Sequence, residues 1–179
     1  MIRKLAVALC LVPFAAFATD DDIGGTLNPD EMSLNSALEK AIRGEVDMAT
    51  CAQGYLMTKK GSHDEARQIF ENCAAAGYTG TMTWMSYMED NGFGGEYNPV
   101  AAAEWDRKAA EAGDPVGKFN YGLSLLRGHG VVQDEALGRA LVDEAAEAGL
   151  TVAKRLKSAD YDTDEVTPDA DNWKYAPLY

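Results

Sequence analysis

The stretch Ala102-Ala-Glu-Trp105-Asp-Arg-Lys-Ala-Ala-Glu-Ala-Gly113-Asp-Pro-Val-Gly-Lys-Phe-Asn-Tyr-Gly122-Leu-Ser-Leu-Leu-Arg-Gly128-His-Gly130-Val131 reads as two helices and the turns that end them. Alanine is the strongest helix former, and a glycine just past an alanine-rich run supplies the left-handed residue that closes a helix. Asp114-Pro115 then opens a second helix, with a side-chain cap followed by a proline whose missing donor costs nothing at the first position. The pattern recurs. Phe70-Glu-Asn-Cys-Ala-Ala-Ala-Gly77, Asp106-Arg-Lys-Ala-Ala-Glu-Ala-Gly113 and Val142-Asp-Glu-Ala-Ala-Glu-Ala-Gly149 end on glycines spaced 36 residues apart. Gly92-Phe-Gly94 and Gly128-His-Gly130 keep the same spacing, as do Asn98 and Asp134. A fixed period of this length marks a stack of supersecondary units, none of which can bury its apolar face alone.

Working outward, the sequence predicts helices over about 30–43, 47–59, 63–76, 80–91, 99–112, 115–127, 134–148 and 151–158. Asn98-Pro99 and Asn28-Pro29 repeat the cap-and-proline signal, and Asp134-Glu135 opens another helix. No stretch alternates as a half-buried strand would. Each unit is taken as one alanine-rich helix followed by one helix opened after its glycine. Ala74, Ala110 and Ala146 recur at one register, and Gly117, Gly122, Ala49 and Ala52 lie in the second helices, where small residues let helices approach. Phe70, Trp84, Trp105, Phe119 and Tyr121 are expected to fill the core.

The segment 102–131 resembles a Sel1-like repeat, whose motif runs from an aromatic residue through Lys-Ala-Ala and Gly-Asp to Gly-x-Gly-Val. The preceding unit departs from it, with Cys73-Ala-Ala-Ala for Lys-Ala-Ala and Tyr78 for the aspartate. The likeness covers about 60–158 and, more weakly, 30–60. It implies an all-α, right-handed helix-turn-helix solenoid of about 3–4 Sel1-like units, related to tetratricopeptide repeats. It also implies an adaptor that binds a protein or peptide partner in a groove, and no enzyme. Trp84, Tyr87, Tyr121 and Arg127 are the candidate groove residues.

The ends have a different character. Arg3 and Lys4 precede a thirteen-residue apolar run, Leu5 to Phe17, and Ala16-Phe17-Ala18 forms a cleavage site. This is the pattern of a secretory signal, and the run falls short of the roughly 20 residues that span a bilayer. Residues 1–18 are therefore expected to be a signal peptide, 19–29 an acidic leader, 30–158 the solenoid and 159–179 an acidic and aromatic tail. The expected location is periplasmic or secreted. The chain of 179 residues has a formal net charge of -13, and loss of 1–18 leaves 14 basic against 29 acidic residues. Five acids fall in 19–33 and six in 158–179, so the middle is only mildly acidic. Such a chain lacks the clustered Lys and Arg that nucleic-acid binding needs.

Chemistry is sparse. With only two histidines and three cysteines, a zinc centre of several His and Cys ligands is not expected. Cys51 and Cys73 fall at about one level of an antiparallel helical hairpin, so a disulfide is expected, with two buried thiols as the alternative. His63 and His129 sit in non-equivalent turns and read as exposed loop residues. Some proteins of the resembled family are described as beta-lactamases, which makes a secreted hydrolase the alternative function. However, no serine here has a lysine three residues on, as that chemistry's Ser-x-x-Lys requires. Asp160, Asp162 and Asp164 echo half a calcium loop but lack its glycine and distal glutamate. Ligand or metal binding by the acidic tail is a further alternative. No cofactor is expected.

Overall fold

The computed structural model describes residues 33–166. The expected signal peptide and acidic leader, and the tail beyond 166, lie outside the described residues. Eight helices follow in order: α1 (Leu34–Ile42), α2 (Met48–Lys60), α3 (His63–Ala75), α4 (Thr79–Asn91), α5 (Pro99–Glu111), α6 (Pro115–Arg127), α7 (Glu135–Glu147) and α8 (Thr151–Ser158). A short 3-10 turn, Thr163–Glu165, comes after α8. Helices pack on their neighbours in the chain, α1 also packs on α3, and α4 also touches α6. That is the contact pattern of stacked hairpins.

The caps are those the sequence encodes. The Asp47 carboxylate accepts from Thr50 N at 2.7 Å, Asn98 from Ala101 N at 3.1 Å and Asp134 from Leu137 N at 3.0 Å. Asp114 Oδ1 accepts from both Val116 N and Gly117 N. Each bond satisfies a backbone donor that the first helical turn leaves unpaired. At α1 the expected Asn28-Pro29 opening lies outside the described residues. Ser33 caps that helix, accepting from Ser36 N at 3.0 Å.

The Gly-x-Gly turns have a packing role. A Cβ on Gly94 would come within 3.0 Å of the His63 carbonyl, and one on Gly130 within 2.0 Å of the Pro99 oxygen. Each turn therefore rests on the backbone at the start of the helix that lies one helix back in the chain. Side chains are excluded there by contact as well as by the positive φ angles of 66° and 69°.

Of the four small residues expected to let helices approach, Gly117 and Gly122 do so, and Ala49 and Ala52 do not. Ala49 and Ala52 face solvent. Gly54, one turn on, takes the contact: a Cβ there would meet the Phe70 ring at 2.4 Å. At the α6–α7 crossing, Gly122 and Gly138 face each other, each 2.9 Å from the other's oxygen as measured from an added Cβ. Ala74, Ala110 and Ala146 are buried as expected.

Two apolar clusters form the core. One joins α1 to α4 through Met57, Ile69, Phe70, Trp84, Met85 and Met88. The other joins α6 to α8 through Phe119, Leu123, Leu126, Val142 and Leu156. None of the buried residues of α5 belongs to either cluster. Within the first, Cys51 and Cys73 form a disulfide with a Cα separation of 5.9 Å. It clips α2 to α3 at the least regular end of the array.

The start of the expected acidic and aromatic tail folds back on the repeats through Tyr161 and Val166. Tyr161 donates to Asp143 Oδ1 at 2.6 Å, and Val166 is buried in the second cluster. Of the acidic triplet, Asp160 faces Arg139 at 3.8 Å, and Asp162 accepts from Asp164 N.

Candidate functional site: a cavity between two repeats

Where the two clusters part, α4, α5 and α6 enclose a cavity of about 280 Å³. Asp106 of α5 lies against it and is only 4% exposed. In the 36-residue register Asp106 occupies the place of Phe70 and Val142, both fully buried apolar residues. A carboxyl thus stands where the flanking units put core.

Its partners are neutral. Ser86 Oγ donates to Asp106 Oδ2 at 2.7 Å, and Asn120 Nδ2 donates to Oδ1 at 3.3 Å. Burial disfavours the charged form and these two bonds offset it only in part, so the carboxyl is pushed up from 3.8 to about 8. Asp90 and Asp114 add repulsion in the same direction. The group is accordingly protonated at neutral pH. Asn120 Oδ1, on the same wall, is enclosed and accepts no hydrogen bond.

The remaining lining is mixed. Tyr87, Asp90 and Asn91 come from α4, Leu123, Ser124 and Arg127 from α6, and His129 from the following turn. His129 Nε2 meets Asp90 Oδ1 at 2.7 Å. The Arg127 guanidinium donates to the carbonyls of Thr163 and Val166 at 2.5 and 2.8 Å, tying the post-α8 segment to α6. Tyr87 also lies within a line of aromatic contacts. Tyr55 meets Trp84 at 5.1 Å, Trp84 meets Tyr87 at 5.4 Å, and Tyr87 meets Phe93 at 5.7 Å. Phe93 stacks on His63 at 4.6 Å.

Of the four candidate groove residues, the cavity brings together Tyr87 and Arg127. Trp84 is 5% exposed and stacks over Phe70 in the core, so its bulk is spent on packing. Tyr121 is half-buried and does not line the cavity. The two histidines are half-buried and engaged, one with Phe93 and one with Asp90, where exposed loop positions were expected. Asp106, Ser86 and Asn120 were missed. Aligning the repeats carries the signal for Asp106, because an aspartate in the register of Phe70 and Val142 breaks the apolar pattern. Among the described residues no cluster of His, Cys, Asp and Glu could hold a metal ion. No helix among them is long and apolar enough to cross a membrane.

Stacked helix pairs with an interrupted core and a lined cavity define a helical-repeat scaffold. The family model that matches is the Sel1 repeat, over residues 81–114 and 115–150, so the chain carries two Sel1 repeats there. Among solved structures it is similar to a Sel1 repeat protein from Oxalobacter formigenes, with 24% identity and a TM-score of 0.57. That match covers 73% of this chain and 98% of the other. It is also similar in fold to c5321, a protective antigen of uropathogenic Escherichia coli with an SLR fold, at 19% identity and a TM-score of 0.50. Here the match covers 77% of this chain and 36% of the longer one. No curated protein matches the chain.

The matched spans correct the repeat frame. One unit pairs α4 with α5 and the next pairs α6 with α7, so each alanine-rich helix closes its unit and does not open it. The cavity lies between the helices that open two successive units, with α5 between them.

Proposed function

We propose that this chain is an exported protein-interaction module that takes a protein partner on the face shared by α4 and α6. Sel1 repeats generally serve as interaction scaffolds, and the observation that carries the reading here is the cavity between two successive units. A repeat array built only for rigidity would fill that register with an apolar residue, as its neighbours do with Phe70 and Val142. Tyr87, with its ring at the cavity, is the anchor of the kind that dominates binding energy at interfaces, and Arg127 contributes at the rim.

The compartment follows from two features. A disulfide suits an oxidising, extracytoplasmic setting. The sequence of residues 1–18 has the form of a cleaved export signal. We place the mature chain in a bacterial periplasm, as an adaptor or regulator of an envelope complex or sensor. The amino terminus of the mature protein should then be Thr19, read by sequencing.

The binding reading is tested by comparing Tyr87→Ala with Glu111→Ala, an exposed change on α5, for affinity towards partner recovered from the envelope. Tyr87→Ala is expected to weaken binding about tenfold or more, the loss typical of an interfacial anchor. Equal affinity of the two variants would place the interface elsewhere.

A further inference from the structure

We infer that the cavity between α4, α5 and α6 is a receptor for a primary ammonium group, presented by a lysine side chain of the partner. This deepens the proposed function and rests on it for the identity of the donor chain, whereas the cavity's chemistry stands apart from it.

Asp106, Asn120 and Asp90 place three acceptor groups on the cavity lining. Asp106 Oδ2 is taken by Ser86, and Oδ1 has only a long contact from Asn120 at 3.3 Å. Asn120 Oδ1 has no donor. Asp90 adds a carboxylate on the α4 side, where only His129 meets it among the lining residues. An unmatched buried acceptor is costly, and an occupant that brings donors removes the cost. An ammonium group supplies three donors at one point. A guanidinium fork matches a carboxylate with both oxygens free, and Asp106 offers only one. The lining also offers apolar surface to the stem that such a group carries, from Tyr87, Ala102 and Leu123. Arg127, the cation in the lining, is held on the carbonyls of Thr163 and Val166.

Proton release accompanies entry. With its carboxyl pushed up to about 8, the empty site holds a proton at pH 7 that a cation displaces. Apparent affinity should therefore rise about tenfold from pH 7 to pH 9, as the ionised fraction of Asp106 grows from roughly a tenth to nine tenths. The other charged or titratable groups facing Asp106 are Tyr87 and Asp90 from α4, Asp114 from the α5–α6 turn, Arg127 from α6 and His129 from the turn after it. All of them remain in Asp106→Asn, so that variant removes the share of Asp106 alone.

The test is a titration of the full chain with n-butylammonium, followed by NMR shifts, with n-butanol and n-butylguanidinium as parallel arms. Expected are saturable shifts centred on Ser86, Asp106 and Asn120, about tenfold tighter at pH 9 than at pH 7. They should be absent with butanol, weaker with the guanidinium and lost in Asp106→Asn. Shifts that scatter over the acidic surface, or that persist in Asp106→Asn, overturn the inference. So does saturable binding with no pH dependence. A partner that needs Tyr87 but binds Asp106→Asn at full strength would leave the α4–α6 interface standing and remove the lysine pocket.

Discussion

Replacing Asp106 by Asn should abolish one component of the protein's pH-dependent stability, and its size follows from where the carboxyl sits. In the unfolded chain the group ionises near its ordinary 3.8, and in the folded chain only near 8. Between those values the folded state holds a proton that the unfolded state has lost. Stability therefore falls as pH rises through this window, by about 1.4 kcal/mol per pH unit. From pH 5 to pH 7 the loss is about 3 kcal/mol. At a urea slope of about 2 kcal/mol per molar this moves the midpoint by about 1.5 M. Asn keeps the shape, still accepts from Ser86 and carries no ionisable proton. Urea melts of both proteins at pH 5, 6 and 7 isolate the effect as the difference between them, since every other titrating group is shared. The wild type should lose ground to the variant steadily with pH. A difference that stays constant over the window would refute the assignment of a buried, proton-holding carboxyl.

Three further outcomes are expected. Reducing the Cys51–Cys73 bond releases a loop of 22 residues, and chain entropy makes this a loss of about 3 kcal/mol, read as a lower Tm in dithiothreitol. Gly122→Ala should destabilise by about 1–3 kcal/mol, because its Cβ would meet the Gly138 oxygen at 2.9 Å. Gly80→Ala, whose Cβ meets nothing within 4 Å, should leave stability unchanged or raise it by up to about 1 kcal/mol. The pair is compared by thermal melting, and equal losses would contradict the close α6–α7 crossing.

The helices were legible because their boundaries are written locally. Asp47, Asn98, Asp114 and Asp134 each act within three residues of their own position, and the closing glycines act within one turn. The repeat frame was less legible. A period fixes spacing but not where a unit begins, and alanine-rich helices flanked by turns on both sides can be paired in either direction. Which small residue meets a neighbour depends on how a helix is rotated. Ala49 and Ala52 were one face away from Gly54, where the Phe70 ring arrives.

The site was half visible for a related reason. Tyr87 and Arg127 were among the candidate groove residues, yet so was Trp84, which contact with the Phe70 face and the Tyr55 edge draws inward. Asp106 was hidden by its surroundings in the sequence. It lies between Trp105 and Arg107 in a stretch of mixed charge, and only the alignment with Phe70 and Val142 marks it as a core position. Val166 belongs to the same class. A lone apolar residue after an acidic run gives no local sign that it is buried against α6 to α8.

The proposed protein partner meets the face shared by α4 and α6. Site-specific photo-crosslinking in the envelope addresses this contact most directly, with the reactive residue placed at Asn91 beside the cavity or at Glu111 on the exposed side of α5. A discrete adduct from position 91, absent from position 111 and lost when Tyr87 is alanine, is the predicted result. Adducts from position 111 with none from position 91 would contradict it.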